Sequence, residues 1–276
     1  MEKKIGFIGA GNMGSALITA ACRGNDPKDV IITDYLLDKA KALADKLGCC
    51  VASDNVEVVR SAHYIMLAVK PQVLNSVIKE INPVLKECIE TDKPRALVSM
   101  AAGVTIENIK KKLDIELPII RIMPNTPVSI GKGMILLTSN NKEAVVSEKD
   151  FDQFISIMNA AGKFDRISEE DMDAANVAMG CTPAYAYMFI EALADGAVMT
   201  GLPRDKAIKY AAQAVLGAAA MVIESRHHPG ILKDAVCSPG GSTIVGVAEL
   251  EKHGFRSAAI QAVLGAYNKT IDLGKN

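Results

Sequence analysis

The first half of the chain alternates short apolar runs with amphipathic stretches. The apolar runs predict strands, and they cover residues 4–8, 30–33, 64–69, 96–100, 119–123 and 134–138. The stretches between them predict helices, and they cover residues 15–23, 38–46, 72–85 and 106–113. This alternation is typical of a parallel sheet with helices on both faces.

The composition changes near residues 164–167. Beyond this point no β-branched run bounded by turns occurs, and Ala, Met and Leu dominate long stretches such as 174–199 and 204–225. Such stretches favour helices. We therefore predict two domains, an α/β domain over residues 1–164 and an all-α domain over residues 165–276.

Several of the later helices are apolar on all sides. Residues 211–223 contain no charge, and Gln213 is their one clearly polar side chain. A helix of this kind has to be buried all round. Because one small domain can hardly enclose several such helices, we expect part of this surface to be buried against another chain. A central helix in a monomeric bundle is the alternative.

Composition and charge exclude several classes of protein. The 276 residues include 31 Lys and Arg against 32 Asp and Glu, which argues against a general nucleic-acid or anionic-membrane surface. Six cysteines without a CxxC spacing, and four histidines, indicate reduced thiols and no metal site. The uncharged stretches 5–22 and 174–190 contain glycine or proline and are poor membrane spans. We expect a soluble, cytoplasmic protein.

A glycine motif of the form GxGxxG joins the first predicted strand to the first predicted helix. In that setting the first glycine forms a tight turn, the second lets backbone N–H groups approach a pyrophosphate, and the third lets the helix pack on the strand. We predict a dinucleotide site here, and a plain glycine turn is the alternative. The predicted cofactor-binding residues of the motif are Gly9, Ala10, Gly11, Asn12, Met13 and Gly14.

Asp34 follows the second predicted strand and lies 20 residues beyond Gly14. An acidic side chain at this position usually binds the adenosine ribose hydroxyls and repels a 2′-phosphate, so it favours NADH over NADPH. Lys39 is a possible ligand for such a phosphate, and Asp34 as a solvated turn residue is the alternative. Residues 53–55, which precede the next helix and include Asn55, are candidates for the adenine end of the site.

Other strand ends supply candidates for the nicotinamide half, because ligands of open α/β sheets lie outside the carboxyl ends of the strands. Residues 99–103 are candidates for a wall of the site, and for Lys70 a solvated surface charge is the alternative. The remaining candidates are Ala68, Val69, Lys70, Pro71, Met123, Pro124, Asn125 and the adjacent Thr126.

The helical half contains one unusual segment, at residues 234–243, before a helix predicted over 244–252 that Gly254 ends. Its Gly-Gly-Ser-Thr sequence at a helix start presents free N–H groups and two hydroxyls, which suits a carboxylate. An ordinary capped helix start is the alternative.

Taken together, these segments resemble the pyrroline-5-carboxylate reductases over nearly the whole chain. The matching runs are IGFIGAGNMG at 5–14, AVKP at 68–71, MPNTP at 123–127, FIEALADG at 189–196, AAQAV at 211–215 and HPGILKDAVCSPGGST at 228–243. The resemblance implies an N-terminal Rossmann-type domain, a C-terminal helical dimerisation domain, and active sites at the interface of a homodimer or a ring of dimers.

The same resemblance implies a reaction and its residues. NADH or NADPH would transfer a hydride to the cyclic imine pyrroline-5-carboxylate, giving L-proline, with Thr243 as the catalytic residue whose hydroxyl bonds the ring nitrogen. Glu224 would support the substrate loop. The substrate-binding residues implied are Ser238, Gly240, Gly241, Ser242, Thr243 and Glu224.

Two positions depart from the family pattern. Residues 180–182 read Gly-Cys-Thr where a serine-rich run is expected, and Asp34 stands where members that prefer NADPH carry serine, threonine or a basic residue.

Two other readings remain. An imine reductase or a β-hydroxyacid dehydrogenase is the first, but the dehydrogenase chemistry needs a lysine base in the first long interdomain helix, and residues 174–190 contain no lysine. A non-catalytic dinucleotide sensor is the second, and it has no need for the 238–243 loop.

Overall fold

The computed structural model describes residues 3–91, 95–139 and 147–274. These residues form two compact units, one of residues up to Gly180 together with those from Tyr267, and one of Cys181–Ala266. The strands are β1 (Lys3–Ile8), β2 (Val30–Thr33), β3 (Cys50–Val51), β4 (Ala62–Leu67), β5 (Ala96–Ser99), β6 (Ile119–Pro124), β7 (Gly133–Ser139) and β8 (Gly162–Arg166).

The helices occupy the connections of the first unit and most of the second. They are α1 (Asn12–Gly24), α2 (Leu37–Leu47), α3 (Asn55–Ser61), α4 (Pro71–Glu90), α5 (Ile106–Lys110), α6 (Glu148–Met158), α7 (Met172–Asn176), α8 (Thr182–Met199), α9 (Arg204–Ser225), α10 (Pro229–Val236), α11 (Ser242–Lys252) and α12 (Phe255–Gly274). The predicted fold class, an α/β domain followed by a helical domain, is confirmed.

Within the described residues, eight strands form one sheet in the order β3-β2-β1-β4-β5-β6-β7-β8. Strand β1 is parallel to β2 on one side and to β4 on the other, with Ile5 opposite both Val30 and Tyr64. The strand order therefore reverses at β1. In such sheets a crevice opens at the carboxyl ends of the two strands that flank the reversal.

The sheet departs from the predicted all-parallel pattern at one edge. Strand β7 is antiparallel to β6. Its connection from Pro124 to Gly133 holds only a short 3-10 turn, too little chain for the crossover that a parallel pair needs. Strand β8 was not predicted because Lys163, Asp165 and Arg166 interrupt its apolar pattern, and β3 was missed because it is only two residues long.

Helices cover the sheet through apolar stripes at helical spacing. Helix α4, for example, buries Leu74, Val77, Ile78 and Ile81 against the sheet. On the other face, α1 and α6 bury side chains that include Leu17 and Phe154. The strands at the centre of the sheet are thereby buried on both faces, and their carboxyl ends are held in fixed positions.

A buried arginine ties β6 to the segment after β8. The Arg121 side chain is 2% exposed; its Nη1 lies 3.0 Å from Oε1 of Glu169 and its Nη2 lies 3.3 Å from Oδ1 of Asp173. Glu169 Oε1 also accepts the N–H of Ile106 at 2.8 Å. One carboxylate therefore joins β6 to the start of α5.

The helical unit has few buried residues of its own. Helix α8 packs along α9, and the rings of Phe189 and Phe255 lie 5.5 Å apart. Even so, Ala194 is the buried residue of α8 and Ala207 that of α9, while Met188 is 70% exposed. The apolar surface predicted from the sequence thus lies uncovered on a single chain.

Two helical segments in the described part of the chain are long and apolar enough to cross a membrane by length and composition alone. They are Met172–Met199 and Arg204–Ser225. Helices buried in the core of a soluble protein or between subunits have the same length and composition, so this finding does not choose between lipid and a protein partner.

Candidate functional site

A cavity of about 1240 Å³ opens at the carboxyl ends of β1 and β4, where the strand order reverses. The predicted cofactor residues that line it are Gly9, Gly11, Asn12, Met13, Gly14, Asp34, Asn55, Ala68, Val69, Lys70 and Pro71. Four predicted cofactor residues, Ala10, Met123, Pro124 and Asn125, are not among its lining residues. The structure thus brings together most of a set that the sequence spreads over more than 60 positions.

The first glycine of the motif forms the turn that leaves β1. The N–H of Gly9 donates to Thr33 O at 2.9 Å, and the N–H of Ala68 donates to Ile8 O at 2.9 Å, so the ends of three strands converge there. Gly9 has φ +106°, and a Cβ at this position would lie 2.5 Å from Ala68 O. The tight turn therefore requires glycine.

The other two glycines have opposite surroundings. A Cβ on Gly14 would lie 2.5 Å from Gly9 O, so this residue lets α1 pack against the turn. Gly11, in contrast, has no heavy atom within 4 Å of its would-be Cβ, and it lines the cavity. It is also the N-cap of α1 and makes no side-chain cap, which leaves first-turn N–H groups for an anion. The space above Gly11 fits a pyrophosphate.

Asp34 is held rigidly beside the glycine turn. Its Oδ2 accepts the N–H of Ala10 at 2.6 Å, and its Oδ1 accepts the N–H of Leu36 at 3.0 Å. The amide of Ala10 therefore binds Asp34, and the Ala10 side chain is fully buried. Sequence reasoning missed this contact, although neighbouring parallel strands do place residue 34 next to the turn after β1.

Residues 53–55 line the end of the cavity on the β3 side. Asp54 accepts the N–H of Glu57 at 2.7 Å, and Glu57 in return accepts the N–H of Ser53 at 2.6 Å, which is a reciprocal cap at the start of α3. The Asn55 amide donates to Glu80 at 2.7 Å. This part of the wall is thus built from polar groups fixed by their own hydrogen bonds.

The asparagine after β6 is held by hydrogen bonds to two other segments. Asn125 is 9% exposed; its amide N–H donates to Met179 O at 3.0 Å and its Oδ1 accepts the N–H of Met134 at 2.9 Å. Its side chain therefore joins β6 to β7 and to the π-turn at Val177–Cys181. Cofactor binding by Met123, Pro124 and Asn125 stays a prediction.

Neighbouring residues line the cavity in their place. Thr126 and Ser129 belong to the 3-10 turn after β6, and residues 100–102 follow β5. The sequence does not predict Ser129 as a site residue, because it lies in the turn rather than at the strand end. The 3-10 turn spans Thr126–Ile130 and begins two residues after the end of β6, and a turn at that place is the signal that would have found Ser129.

The predicted substrate loop lies in the helical unit. It is a turn closed by the N–H of Gly241 donating to Ser238 O at 3.0 Å, with Gly240 at φ +70°. Helix α11 begins at Ser242, two residues earlier than predicted, and Gly241 provides no side-chain cap. Ser242 and Thr243 are exposed on the single chain. The uncapped helix start keeps N–H groups available for a carboxylate, and the substrate role of the loop stays a prediction.

The segment before this loop has a defined geometry. Glu224 lies near the end of α9 and is exposed, and Arg226 ends that helix at φ +57°. His228 then caps α10, because its Nδ1 accepts the N–H of Gly230 at 3.1 Å. The support of the loop by Glu224 remains a prediction.

Among the residues that the structure describes, no group of three or more His, Cys, Asp or Glu side chains is arranged to hold a metal ion. The six cysteines are free. Hydrogen bonding to Cys49, together with burial, raises the pKa of the Cys22 thiol above its ordinary value.

Comparison with protein families finds one match in the N-terminal part of the chain and another in the C-terminal part. Residues 4–103 match the family described as NADP oxidoreductase, coenzyme F420-dependent. Residues 169–273 match the family described as pyrroline-5-carboxylate reductase dimerisation. The second match identifies the exposed apolar helices as a dimerisation domain, so the chain forms a homo-oligomer.

Individual relatives match over the full length. The pyrroline-5-carboxylate reductase of Escherichia coli (strain K12) is 42% identical over 100% of both chains. Among solved structures, a pyrroline-5-carboxylate reductase from Coxiella burnetii has a TM-score of 0.86 at 32% identity, covering 99% of each chain. The Plasmodium falciparum pyrroline carboxylate reductase with NADP bound has a TM-score of 0.84 at 33% identity, covering 99% of this chain and 98% of the other. By sequence, fold and glycine turn, the chain belongs to the pyrroline-5-carboxylate reductase family.

Proposed function

We propose that this protein is an NAD(P)H-dependent oxidoreductase that acts on a C=N bond and reduces pyrroline-5-carboxylate to L-proline, the last step of proline biosynthesis. The observation that carries the proposal is the cavity over the glycine turn, in a chain that reductases of this family match from end to end. Its residues fit a nicotinamide dinucleotide, because Gly11 is open to the cavity and the N-terminus of α1 points to the same place.

The chemical demands on the protein are modest. The bound reduced nicotinamide supplies the hydride, and addition to the imine carbon turns the C=N bond into a C–N single bond. When the substrate binds as the iminium ion, the nitrogen already carries its proton, so no protein general acid is needed. The remaining tasks are to hold the substrate close to the hydride donor and to exclude competing reactions.

The substrate would bind through the loop at residues 238–243. Backbone N–H groups at the start of α11 bind the carboxylate, since a helix start without a side-chain cap favours an anion. The Thr243 hydroxyl bonds the ring nitrogen, and Glu224 supports the loop. The substrate-binding set is Ser238, Gly240, Gly241, Ser242, Thr243 and Glu224.

We further propose that NADH is preferred over NADPH. The Asp34 carboxylate is fixed by two backbone N–H groups, so it can move away from a 2′-phosphate only by giving up two charge-assisted hydrogen bonds. The ribose hydroxyls of NADH, in contrast, can donate hydrogen bonds to the remaining lone pairs of the Asp34 carboxylate.

The helical half, residues 165–276 in this proposal, would pair with a second copy in a homodimer or a ring of dimers. The dimerisation match starts at residue 169 and covers both helices that are long enough for a membrane. A protein partner therefore accounts for their apolar surface, and we propose a cytoplasmic enzyme that binds neither membrane nor nucleic acid.

Steady-state oxidation of NADH and of NADPH, followed at the nicotinamide absorbance band with and without pyrroline-5-carboxylate, tests the proposal. We expect turnover that requires the imine, with a higher kcat/KM for NADH. Binding of NADH without any imine-dependent turnover would refute the reductase activity, and a higher kcat/KM for NADPH would refute the role of Asp34.

A further inference from the structure

Tyr35 is the most exposed large apolar side chain beside the cofactor cavity. It directly follows Asp34 and lines the cavity, yet its side chain is 100% exposed on the chain. Nothing in the chemistry described above uses it. A fully solvated aromatic ring at the wall of a ligand cavity gains from burial against an apolar or π surface.

The backbone around Tyr35 is fixed on both sides. The N–H of Leu36 donates to Oδ1 of Asp34, which closes an Asx turn around Tyr35. The second oxygen of Asp34 binds Ala10, and the N–H of Lys39 donates to Leu36 O at 2.9 Å where α2 begins. The Tyr35 ring therefore projects from a rigid turn, and ordering it on ligand binding costs only side-chain freedom.

The sheet order indicates which part of a dinucleotide meets this turn. The glycine turn follows β1, and β2 and β3 lie on one side of it, away from β4. With the pyrophosphate above Gly11 and the ribose at Asp34, the base at that end lies near Tyr35 and the wall formed by residues 53–55.

We infer that the Tyr35 ring stacks on the adenine of the cofactor and sets the affinity for the adenosine half. This inference rests on the proposed function only in requiring that the cavity binds a nicotinamide dinucleotide. Stacking of a base on an aromatic side chain, judged by alanine substitution, changes the dissociation constant by roughly 5- to 150-fold.

Isothermal titration of ADP-ribose and of NADH into Tyr35→Ala, Tyr35→Phe and the unmodified enzyme tests the inference. Tyr35→Ala should raise both Kd values roughly 5- to 150-fold, and Tyr35→Phe should stay close to the unmodified enzyme, because the ring and not the hydroxyl makes the contact. Ile130→Ala is the matched control, since Ile130 is a 69% exposed apolar residue that does not line the cavity. Unchanged binding in Tyr35→Ala, or an equal loss in Tyr35→Phe, would overturn the inference.

Two further measurements separate this role from a general effect on the site. Reduced nicotinamide mononucleotide has no adenine, so its KM as hydride donor should be the same in Tyr35→Ala; an equal rise in that KM would overturn the stacking. The sequence contains no tryptophan, so Tyr35→Trp provides a single reporter whose emission should change when ADP-ribose saturates the site. Measured binding without such a change also overturns the inference.

The outcome for the unmodified enzyme keeps the two proposals apart. If it binds neither NADH nor ADP-ribose, the cofactor site itself is refuted and the inference falls with it. If it binds both and turns over, only the Tyr35 variants decide the stacking.

Discussion

Replacing Gly11 with alanine tests the assignment of the pyrophosphate site, because it changes the space above the glycine turn and little else. Gly11 has φ −63° and ψ −175°, a conformation that alanine adopts without strain, and its added Cβ would meet no atom of the chain within 4 Å. The gain from a stiffer unfolded chain, roughly 0.4–1 kcal/mol, is opposed by the poor ranking of alanine at an N-cap. We expect the free energy of unfolding to change by less than about 1 kcal/mol.

Cofactor binding should respond much more strongly. The methyl group would occupy the space where the pyrophosphate approaches the backbone, and loss of one hydrogen bond to a charged group is worth about 1.5–3 kcal/mol. That corresponds to a rise in the Kd for NADH of roughly 10- to 150-fold. Isothermal titration with NADH and a urea unfolding curve on the same preparation give both quantities.

Gly14→Ala is the matched comparison, since its Cβ would lie 2.5 Å from the backbone oxygen of Gly9. This variant should lose stability as well as affinity. If Gly11→Ala binds NADH as the unmodified enzyme does, the pyrophosphate does not approach Gly11 and the assignment is wrong. If Gly11→Ala loses as much stability as Gly14→Ala, the open space above residue 11 is not a property of the folded protein.

Three further substitutions have defined outcomes. Thr243→Ala should lower kcat/KM for pyrroline-5-carboxylate by roughly 5- to 150-fold, because it removes a hydrogen bond worth about 1–3 kcal/mol, and it should leave the Kd for NADH unchanged. Thr243→Ser should retain most activity. A loss of NADH binding in Thr243→Ala would contradict the assigned role. Asp34→Ser should raise the ratio of kcat/KM for NADPH to kcat/KM for NADH by roughly fivefold or more, since two unit charges 4 Å apart repel by about 1–4 kcal/mol near a protein surface. An unchanged ratio would show that Asp34 does not face the 2′ position. Glu169→Gln should lower the free energy of unfolding, as measured by urea unfolding, by about 1–3 kcal/mol. This loss is smaller than for a fully buried ion pair, because Glu169 is 30% exposed while Arg121 is buried. A stability equal to that of the unmodified enzyme would show that the pair contributes little.

The sequence predicts the parts of the fold whose signal is local. The strands on either side of the glycine turn are apolar runs of ordinary length, and their positions agree with β1, β2 and β4. Strand β3 is not predicted because two residues are too few to form an alternating pattern. Strand β8 is not predicted because Lys163 and Asp165 interrupt its apolar run, and these charges are tolerated at the edge of the sheet. The antiparallel direction of β7 depends on the length of the connection before it, which periodicity does not report.

The candidate site shows the same limit at the level of side chains. Residue type and spacing predict that Asp34 lies at the cofactor cavity, but the bond from Ala10 to Asp34 depends on which strands are neighbours. Asn125 illustrates the opposite case. It lies at a strand end as predicted, while its amide is committed to Met134 and Met179, two residues that only the three-dimensional fold brings to it.

The uncovered surface of α8 and α9 makes folding of the helical half dependent on protein concentration. A chain that buries only Ala194 and Ala207 along these two helices gains little stability from them until a second copy arrives. Association and folding then share one equilibrium, so the midpoint of thermal unfolding should rise as the enzyme is concentrated. In a cell, a newly made subunit would remain exposed to proteases and aggregation until it meets its partner, and the rate of synthesis would influence how much enzyme survives.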